Sequence, residues 1–387
     1  MHTLVDIFSG AGGLSCGLEM SGFNSVLASD ISDVFNSTYK RNHQGTKIIS
    51  GDIRQLVGNQ ILKLTGLNEG ELDLLAGGPP CQGFSVNAPI RSLDDPRNHL
   101  FKDYLRIAEI LKPKVILIEN VPGIVSLGRG TVIEQIYKKL QDIGYVTNHR
   151  ILFAGHYGVP QLRFRTIIIA TRINNKQISF PSPTHNADGV ANFAKAKDLC
   201  IRLTPLEKTH LLDKTTAWQA ISDLPEIIPG EVGESLEYKT PVQNEYQRTL
   251  RGNLKTVDNH YSSRLSKVNL ERLKHIPQGG SWRDIPFDLL PKGLQRARRS
   301  DHTKRYGRLH PEQLCSTILT KCDPHWGSFF HPYQDRVLTV REAARIQSFP
   351  DTYKFIGSLT EQYQQVGNAV PPLMAKKIGE EVSKLLS

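Results

Sequence analysis

The sequence predicts an α/β protein, a doubly wound, mostly parallel sheet accompanied by a second, smaller and irregular domain. Three observations carry this reading. Through the first 180 residues, short runs rich in Val, Ile and Leu alternate with segments of helical periodicity. Those runs are nearly continuous in apolar residues, as strands covered on both faces must be. From about Pro181 to Asp335 the pattern dissolves into Pro, Gly, polar and charged residues, and helical periodicity returns only afterwards. We therefore expect residues 1–180 and 336–387 to build one domain and residues 181–335 the other.

Taken in order, the expected strands are L-V-D-I-F from Leu4, N-S-V-L-A-S-D from Asn24, T-K-I-I-S from Thr46, L-D-L-L-A from Leu72 and V-I-L-I-E-N from Val115. R-T-I-I-I-A-T-R-I, from Arg165, adds a later one. Leu100, Tyr104, Ala108 and Leu111 recur at helical spacing, as do Val132, Ile136, Leu140 and Ile143, with Gly144 as the terminating residue. T-V-R-E-A-A-R-I-Q, from Thr339, reads as a helix. Met374, Ile378, Val382 and Leu385 share a face of a last one, which Pro371 and Pro372 start.

Composition narrows the function classes. With 39% hydrophobic and 22% charged residues, the 387-residue chain is ordinary for a soluble protein. No apolar run approaches the roughly 18 residues of a membrane span, and M-H-T-L-V-D-I-F carries no export signal, so a cytoplasmic protein is expected. Five cysteines without a C-x-x-C pair give no disulfide framework, and Cys315, Cys322, His325 and His331 match no zinc-module spacing; no metal is expected. The net charge of +10 raises the prospect of a polyanionic partner. Asp288 to Arg308 holds seven basic and two acidic residues, a net of +5, with Tyr306 and Trp282 nearby as stacking groups.

Chemistry concentrates at the expected strand ends. D-I-F-S-G-A-G-G, residues 6–13, follows the first strand with glycines that let a ligand approach the backbone: Gly10, Gly12 and Gly13. It is neither a dinucleotide fingerprint nor a phosphate loop, which would need other spacing or a Lys. Asp30, twenty positions after Gly10, can accept hydrogen bonds from both hydroxyls of a ribose, and Asp52 from an adenine amino group. A nucleoside pocket without a phosphate cradle fits S-adenosylmethionine better than NAD or ATP. Cys81 stands in G-G-P-P-C-Q-G-F-S at the end of the fourth strand, behind two stiff prolines. Glu119 and Asn120 end the fifth, where a carboxylate is costly unless paired or used. Adjacent strand ends can bring thiol and carboxyl to opposite edges of one small flat ring.

Together with G-D-I, E-N-V-P-G, Q-L-R-F-R, R-V-L-T-V-R-E-A-A-R-I-Q-S-F-P-D and V-G-N-A-V-P-P, these segments resemble, in order and over nearly the whole chain, the DNA (cytosine-5)-methyltransferases of bacterial restriction-modification systems. The resemblance implies an S-adenosylmethionine-dependent methyltransferase fold over 1–180, completed by 336–387, and a target-recognition domain over 181–335. It further implies a Cys81 thiolate that attacks cytosine C6, with Glu119 as the acid at N3 and Arg163 and Arg165 lining the target-base pocket. Phe8, Ile31, Ile53, Pro80, Leu100, Asn368 and Val370 match cofactor-contacting positions, and Gln82, Ser85, Asn120 and Gln161 substrate-contacting ones. The base must be flipped from duplex DNA, beneath a lid running from Ser85 to about Arg97. Asp30 departs from the family, where Glu is commoner. A companion endonuclease of the same specificity and a monomeric state complete the expectation.

Rival readings remain at this point. Methylation of an exocyclic amine would want an aromatic residue where Cys81 stands and an Asp or Asn where Gly78 stands. A tRNA cytosine-5 methyltransferase would share fold and thiol, but its usual signature reads P-P-C-Q-P-F-T. A catalytically inactive DNA-binding protein of this fold would have little use for Cys81, Glu119, Arg163 and Arg165 together. A cysteine hydrolase or redox enzyme lacks a partner for Cys81 in the sequence.

Overall fold

The computed structural model describes residues 1–80, 100–189, 199–231 and 235–387. The expectations for Cys81, Gln82 and Ser85, and for the lid through Arg97, lie outside the described residues. Seven strands form the main sheet: β1 (His2–Ile7), β2 (Phe23–Asp30), β3 (Lys47–Ser50), β4 (Leu74–Gly77), β5 (Val115–Asn120), β6 (Val146–Phe153) and β7 (Phe164–Thr171). Their spatial order is β3-β2-β1-β4-β5-β7-β6. The first five run parallel, and β7 is antiparallel to both its neighbours. The strand order reverses between β1 and β4, the switch point at whose carboxyl edge open α/β sheets bind their ligands.

The apolar pattern accounts for the sheet. Every residue of β5 is buried, and Val5, Ile7, Leu75, Ile116, Ile118 and Ile168 belong to one core cluster. Five helices matter below: α1 (Gly13–Glu19), α2 (Leu100–Leu111), α3 (Thr131–Asp142), α4 (Val340–Ile346) and α5 (Pro372–Leu386). Phe101, Tyr104, Leu105, Ile107, Ala108 and Leu111 turn one face of α2 into the core, and the Tyr104 hydroxyl donates to the Leu75 carbonyl at 2.9 Å. Gly144 adopts φ +88°, and the amides of Gly144 and Tyr145 donate to the Gln141 and Leu140 carbonyls, which closes α3 with a left-handed cap. The β6 strand was not foreseen. Only its last three residues, Ile151 to Phe153, are buried, so V-T-N-H-R-I-L-F shows no apolar run where it begins.

The chain divides into two compact units. The first comprises Met1–Tyr157, Phe164–Leu212 and Val370–Ser387; the second comprises Gly158–Arg163 and Asp213–Ala369. Composition shifts at about 180 and 335, but packing divides elsewhere. The Pro-rich chain after β7 stays on the first unit, where Pro181 accepts a hydrogen bond from the Tyr157 hydroxyl at 2.9 Å and Thr184 donates to the His156 carbonyl at 2.8 Å. In the same unit α5 packs along α1, with Met374, Ile378 and Val382 fully buried.

The second unit is built differently. Its described strands are two or three residues long, and its apolar residues gather in patches, one of Leu273, Ile276, Trp282, Ile285, Leu294, Tyr306, Phe330 and Val337 and another around Phe349, Tyr353 and Phe355. Trp282 and Tyr306 are therefore core residues, 3% and 5% exposed, and not the stacking groups expected beside the basic segment. Charged side chains supply much of the remaining cohesion. Arg336 binds Glu342, Arg341 donates to the Asp258, Pro350 and Tyr353 carbonyls, and Arg345 bridges Asp223 and Asp351, and all six of these charged side chains are buried.

Candidate active site

At the carboxyl end of β1 the chain turns sharply: Phe8 sits at φ +61°, in the left-handed region. The Gly10 amide donates to the Asp30 carboxylate at 2.9 Å, and the Ser32 amide donates to its other oxygen at 2.9 Å. Burial raises the Asp30 carboxyl above its ordinary value, and these backbone donors oppose the rise. The Ile31 amide also acts on the carboxylate, and three backbone donors against four lone-pair sites leave room for a ligand. Beside it the Ile31 side chain is 72% exposed, an unusual position for a large apolar residue at a strand end. At the end of β3, Asp52 caps the short helical turn Ile53–Gln55, and hydrogen bonds from the Arg54 side chain and backbone hold its carboxyl down at about 2. Its acceptor capacity is thus already shared with Arg54. Ile53 is buried, Leu100 opens α2 packed against the core, and Val370 is buried in the first unit. Asn368 is exposed and belongs to the second unit.

One group in this region escaped the sequence reading. Asp6 is fully buried inside β1, where the Ser15 hydroxyl donates to it at 2.6 Å and the Tyr39 hydroxyl donates to Ser15 at 2.7 Å. Burial pushes its carboxyl up to about 7, against the Ser15 hydrogen bond. The signal was available: an acidic residue interrupts the continuous apolar run L-V-D-I-F, just as Glu119 interrupts V-I-L-I-E-N.

The segment leading to Cys81 is held from two sides. A Cβ on Gly77 would stand 2.1 Å from the Ile7 carbonyl oxygen, so only glycine lets β1 approach this closely, and one on Gly78 would press on the Glu119 carboxylate at 3.0 Å. The Asn120 amide nitrogen donates to the Pro79 carbonyl at 2.8 Å and ties the Pro-Pro pair to the end of β5. Pro80 is the last described residue before the thiol. Glu119 is 9% exposed, and the Arg165 Nε lies 2.6 Å from its carboxylate. Burial pulls the Arg165 guanidinium down from its ordinary value while Glu119 pushes it back, the signature of a pair that persists because each charge offsets the other's desolvation.

The two arginines of Q-L-R-F-R part company. Gln161–Leu162 pairs with Cys315–Ser316 in the second unit, while Phe164 begins β7 of the main sheet. Arg163, 1% exposed, sends its guanidinium to the carbonyls of Ile318, Gly367 and Ala369 at 3.3, 3.0 and 2.8 Å. Gln161 is fully buried, donating to Gln347 at 2.7 Å and accepting from the Ile318 amide at 2.9 Å. Neither arginine is a surface residue. The first unit thus brings together Glu119, Asn120, Arg165, Gly78 and Pro79, whereas Gln161 and Arg163 brace the interior of the second. Among the described residues no cluster of His, Cys, Asp and Glu is arranged to hold a metal ion, and no helix is long and apolar enough to cross a membrane.

Residues 2–384 match the family model described as C-5 cytosine-specific DNA methylase. The chain is 31% identical to the Type II methyltransferase M.AgeI of Thalassovita gelatinovora, with 99% of both chains covered. It is 33% identical to the Type II methyltransferase M1.HphI of Haemophilus parahaemolyticus over 99% of this chain and 87% of that one. Among solved structures, an E. coli prophage protein assigned as a DNA modification methyltransferase superposes with a TM-score of 0.77 at 25% identity, covering 100% of this chain and 99% of the other. Spodoptera frugiperda DNMT2, at 21% identity and a TM-score of 0.60 with both chains fully covered, shares the fold. With the sheet order, the strand-end carboxylate and guanidinium, and these matches along its length, the chain belongs to the C-5 cytosine-specific DNA methylase family and is a DNA (cytosine-5)-methyltransferase.

Proposed function

We propose that the enzyme moves a methyl group from S-adenosylmethionine to C5 of a cytosine flipped out of a short, specific duplex sequence, through a covalent bond between Cys81 and C6. The observation that carries this reading is the Arg165–Glu119 pair at the end of β5, packed against the Gly-Gly-Pro-Pro segment that delivers Cys81. The cofactor, when bound, supplies an electrophilic methyl group. The Asp30 carboxylate supports its placement, with lone pairs open to ribose hydroxyls and the exposed Ile31 offering an apolar face to the adenine. Cys81 Sγ, as thiolate, bonds C6 and drives its electron pair toward C5; Arg165 steadies the charge at O2 and Glu119 meets N3. Methyl transfer to the enamine carbon would break the methyl–sulfur bond and return its electron pair to the sulfonium sulfur, leaving a neutral thioether; the C5 proton then leaves to water, and the C5–H electrons re-form the C5–C6 double bond and expel the thiolate. Glu119 and Arg165 are the catalytic pair of the first unit. Arg163 and Gln161 act as positioning residues through the carbonyls and side chains they bind.

The irregular second unit serves as the target-recognition domain, and the Type II relatives favour pairing with an endonuclease of the same specificity. We assign the enzyme to the cytoplasm, acting as a monomer on cellular DNA. The test is to express the wild type and Cys81→Ser in a host lacking cytosine methylation and to map 5-methylcytosine across its DNA. Methylation confined to one short sequence, and lost in the variant, is the expected result. A blank map from folded wild-type protein, or an active Cys81→Ser, would sink the proposal.

A further inference from the structure

The basic segment of the second unit contains an arrangement that packing does not require. Arg305 is fixed through both its backbone groups, donating to the His302 carbonyl at 2.9 Å and accepting from the Trp282 amide at 3.0 Å. The residues on either side of this tether, His302 and Tyr306, are forced to φ +50° and +48°. Left-handed backbone at non-glycine residues costs energy, and it persists where the surroundings over-determine a particular presentation. What is presented is a guanidinium. Its carbon lies 5.3 Å from the ring centroid of Trp326, within reach for a cation–π contact. Trp326 is 51% exposed, yet its loop is ordered by the hydrogen bond from its own amide to the Asp323 carbonyl at 2.9 Å, and the His325 ring stands edge-on to it at 5.3 Å. The two loops are joined where the Tyr306 amide donates to the Pro324 carbonyl at 2.6 Å.

Charge points to the partner. Lys292, Arg296, Arg298 and Lys304 are exposed in the same segment, and among the described residues none of them forms an ion pair; only Arg308 is neutralised, by Asp335. An unneutralised cationic segment around a pre-ordered Arg–Trp couple suits a polyanion whose interior edges carry sequence. We propose that Arg305 and Trp326 form a base-reading contact with the DNA duplex, with the exposed basic residues of the segment binding phosphates. This rests on the target-recognition reading above and assigns it to particular side chains. The planar guanidinium offers two parallel donors, the geometry that guanine accepts in the major groove. Stacking on Trp326 removes rotamer freedom before binding, and the indole adds apolar surface against a thymine methyl or a sugar.

The experiment uses the full chain. Wild type, Arg305→Lys, Trp326→Ala and the double variant Arg296→Gln/Arg298→Gln are expressed in the methylation-free host, and 5-methylcytosine is mapped at base resolution. In parallel, binding of the purified proteins to unmethylated genomic DNA fragments is titrated against salt. We expect Arg305→Lys and Trp326→Ala to relax discrimination at one or two positions of the recognition sequence by about tenfold, with the salt dependence of binding nearly unchanged. The double variant should methylate the same sequence as wild type while its log–log salt slope falls by about 2. Arg305→Lys removes only the planar fork, so it carries the test even if Trp326→Ala proves unstable. Wild-type selectivity and rate in Arg305→Lys, together with unchanged selectivity in a folded Trp326→Ala, would overturn the inference and leave the methyltransferase reading intact. A wild type that methylates no DNA would overturn both.

Discussion

The two units solve the same problem, burying a chain without stranding its polar groups, in opposite ways. In the first, strands and helices satisfy their own backbone, and the core is chiefly Val, Leu and Ile, with Asp6 buried inside β1 and the Glu119–Arg165 pair at the end of β5. In the second, few residues lie in ladders or long helices, and arginines do what regular structure does elsewhere. Arg163 and Arg341 donate to loop carbonyls, while Arg336 and Arg345 bind buried carboxylates. The difference teaches that a unit with little regular structure needs side-chain donors to hold its loops, and that such a core is rigid only while every partner is present.

The largest effect should come from breaking that polar core. Arg345→Ala removes the guanidinium that bridges Asp223 and Asp351, leaving Arg251 at 3.2 Å from the first and Arg341 at 3.7 Å from the second, and removing one partner of a buried pair costs about 3–5 kcal/mol. Urea unfolding followed by amide exchange should show the loss, with protection falling first within Asp213–Ala369. Arg345→Lys should recover less than half of it, because an ammonium cannot span both carboxylates with a planar fork. If Arg345→Ala unfolds at the wild-type midpoint, the contrast between the two units fails.

Much of the first unit was legible because its physics is local. Continuous apolar runs can only be buried strands here, and Gly144 after a helical stripe can only be a cap; both are as expected. The half-exposed β6 and the acidic interruption at Asp6 were missed, the first for lack of a pattern and the second for being read as part of one. The second unit was opaque for a different reason. An arginine that will be buried among carbonyls looks in sequence like one bound for solvent, and R-V-L-T-V-R-E-A-A-R-I-Q does not declare that three of its arginines are interior. The aromatic groups were misassigned on the same ground, since Trp282 and Trp326 differ in burial through contacts made by distant chain. At the site, Glu119 and its strand end could be read, but the division of Arg163 from Arg165 could not. Alternation places them on one face of a strand, and the strand breaks between them.

A smaller effect sharpens the comparison through pH. The Asp6 carboxyl is raised to about 7 from the 3.8 of an exposed chain, so its contribution to stability is fully present below about pH 4 and is lost as pH rises through 7. Glu342 and Asp351 in the second unit behave oppositely. Burial alone would raise them, but Arg336 and Arg345 hold them below the ordinary range, and their stabilisation, present above about pH 4.5, is lost on acidification. Asp6→Asn keeps an acceptor for Ser15 and removes the titration. Relative to wild type it should gain roughly 2–4 kcal/mol between pH 4 and 8, seen as a difference between the two melting-temperature profiles. Parallel profiles would mean that Asp6 is ionised in the fold.

The smallest effect separates backbone capping from side-chain capping. In the first unit α3 ends on Gly144, whose left-handed backbone lets two amides close the helix. In the second, α4 begins on Thr339, whose hydroxyl accepts from the Glu342 amide while the Glu342 carboxylate returns to the Thr339 amide and also binds Arg336. Gly144→Ala introduces a Cβ into open space, since nothing lies within 4 Å of where it would stand, so the whole cost is conformational and should be about 1 kcal/mol. Gly144→Asn should cost less, because Asn tolerates left-handed backbone. Thr339→Ala should exceed both, for it loosens a carboxylate that a buried guanidinium depends on. Urea midpoints of the three variants would rank them. The order Asn, Ala at 144, then Ala at 339 follows only if a cap in the second unit is wired into its charged core and one in the first unit stands alone.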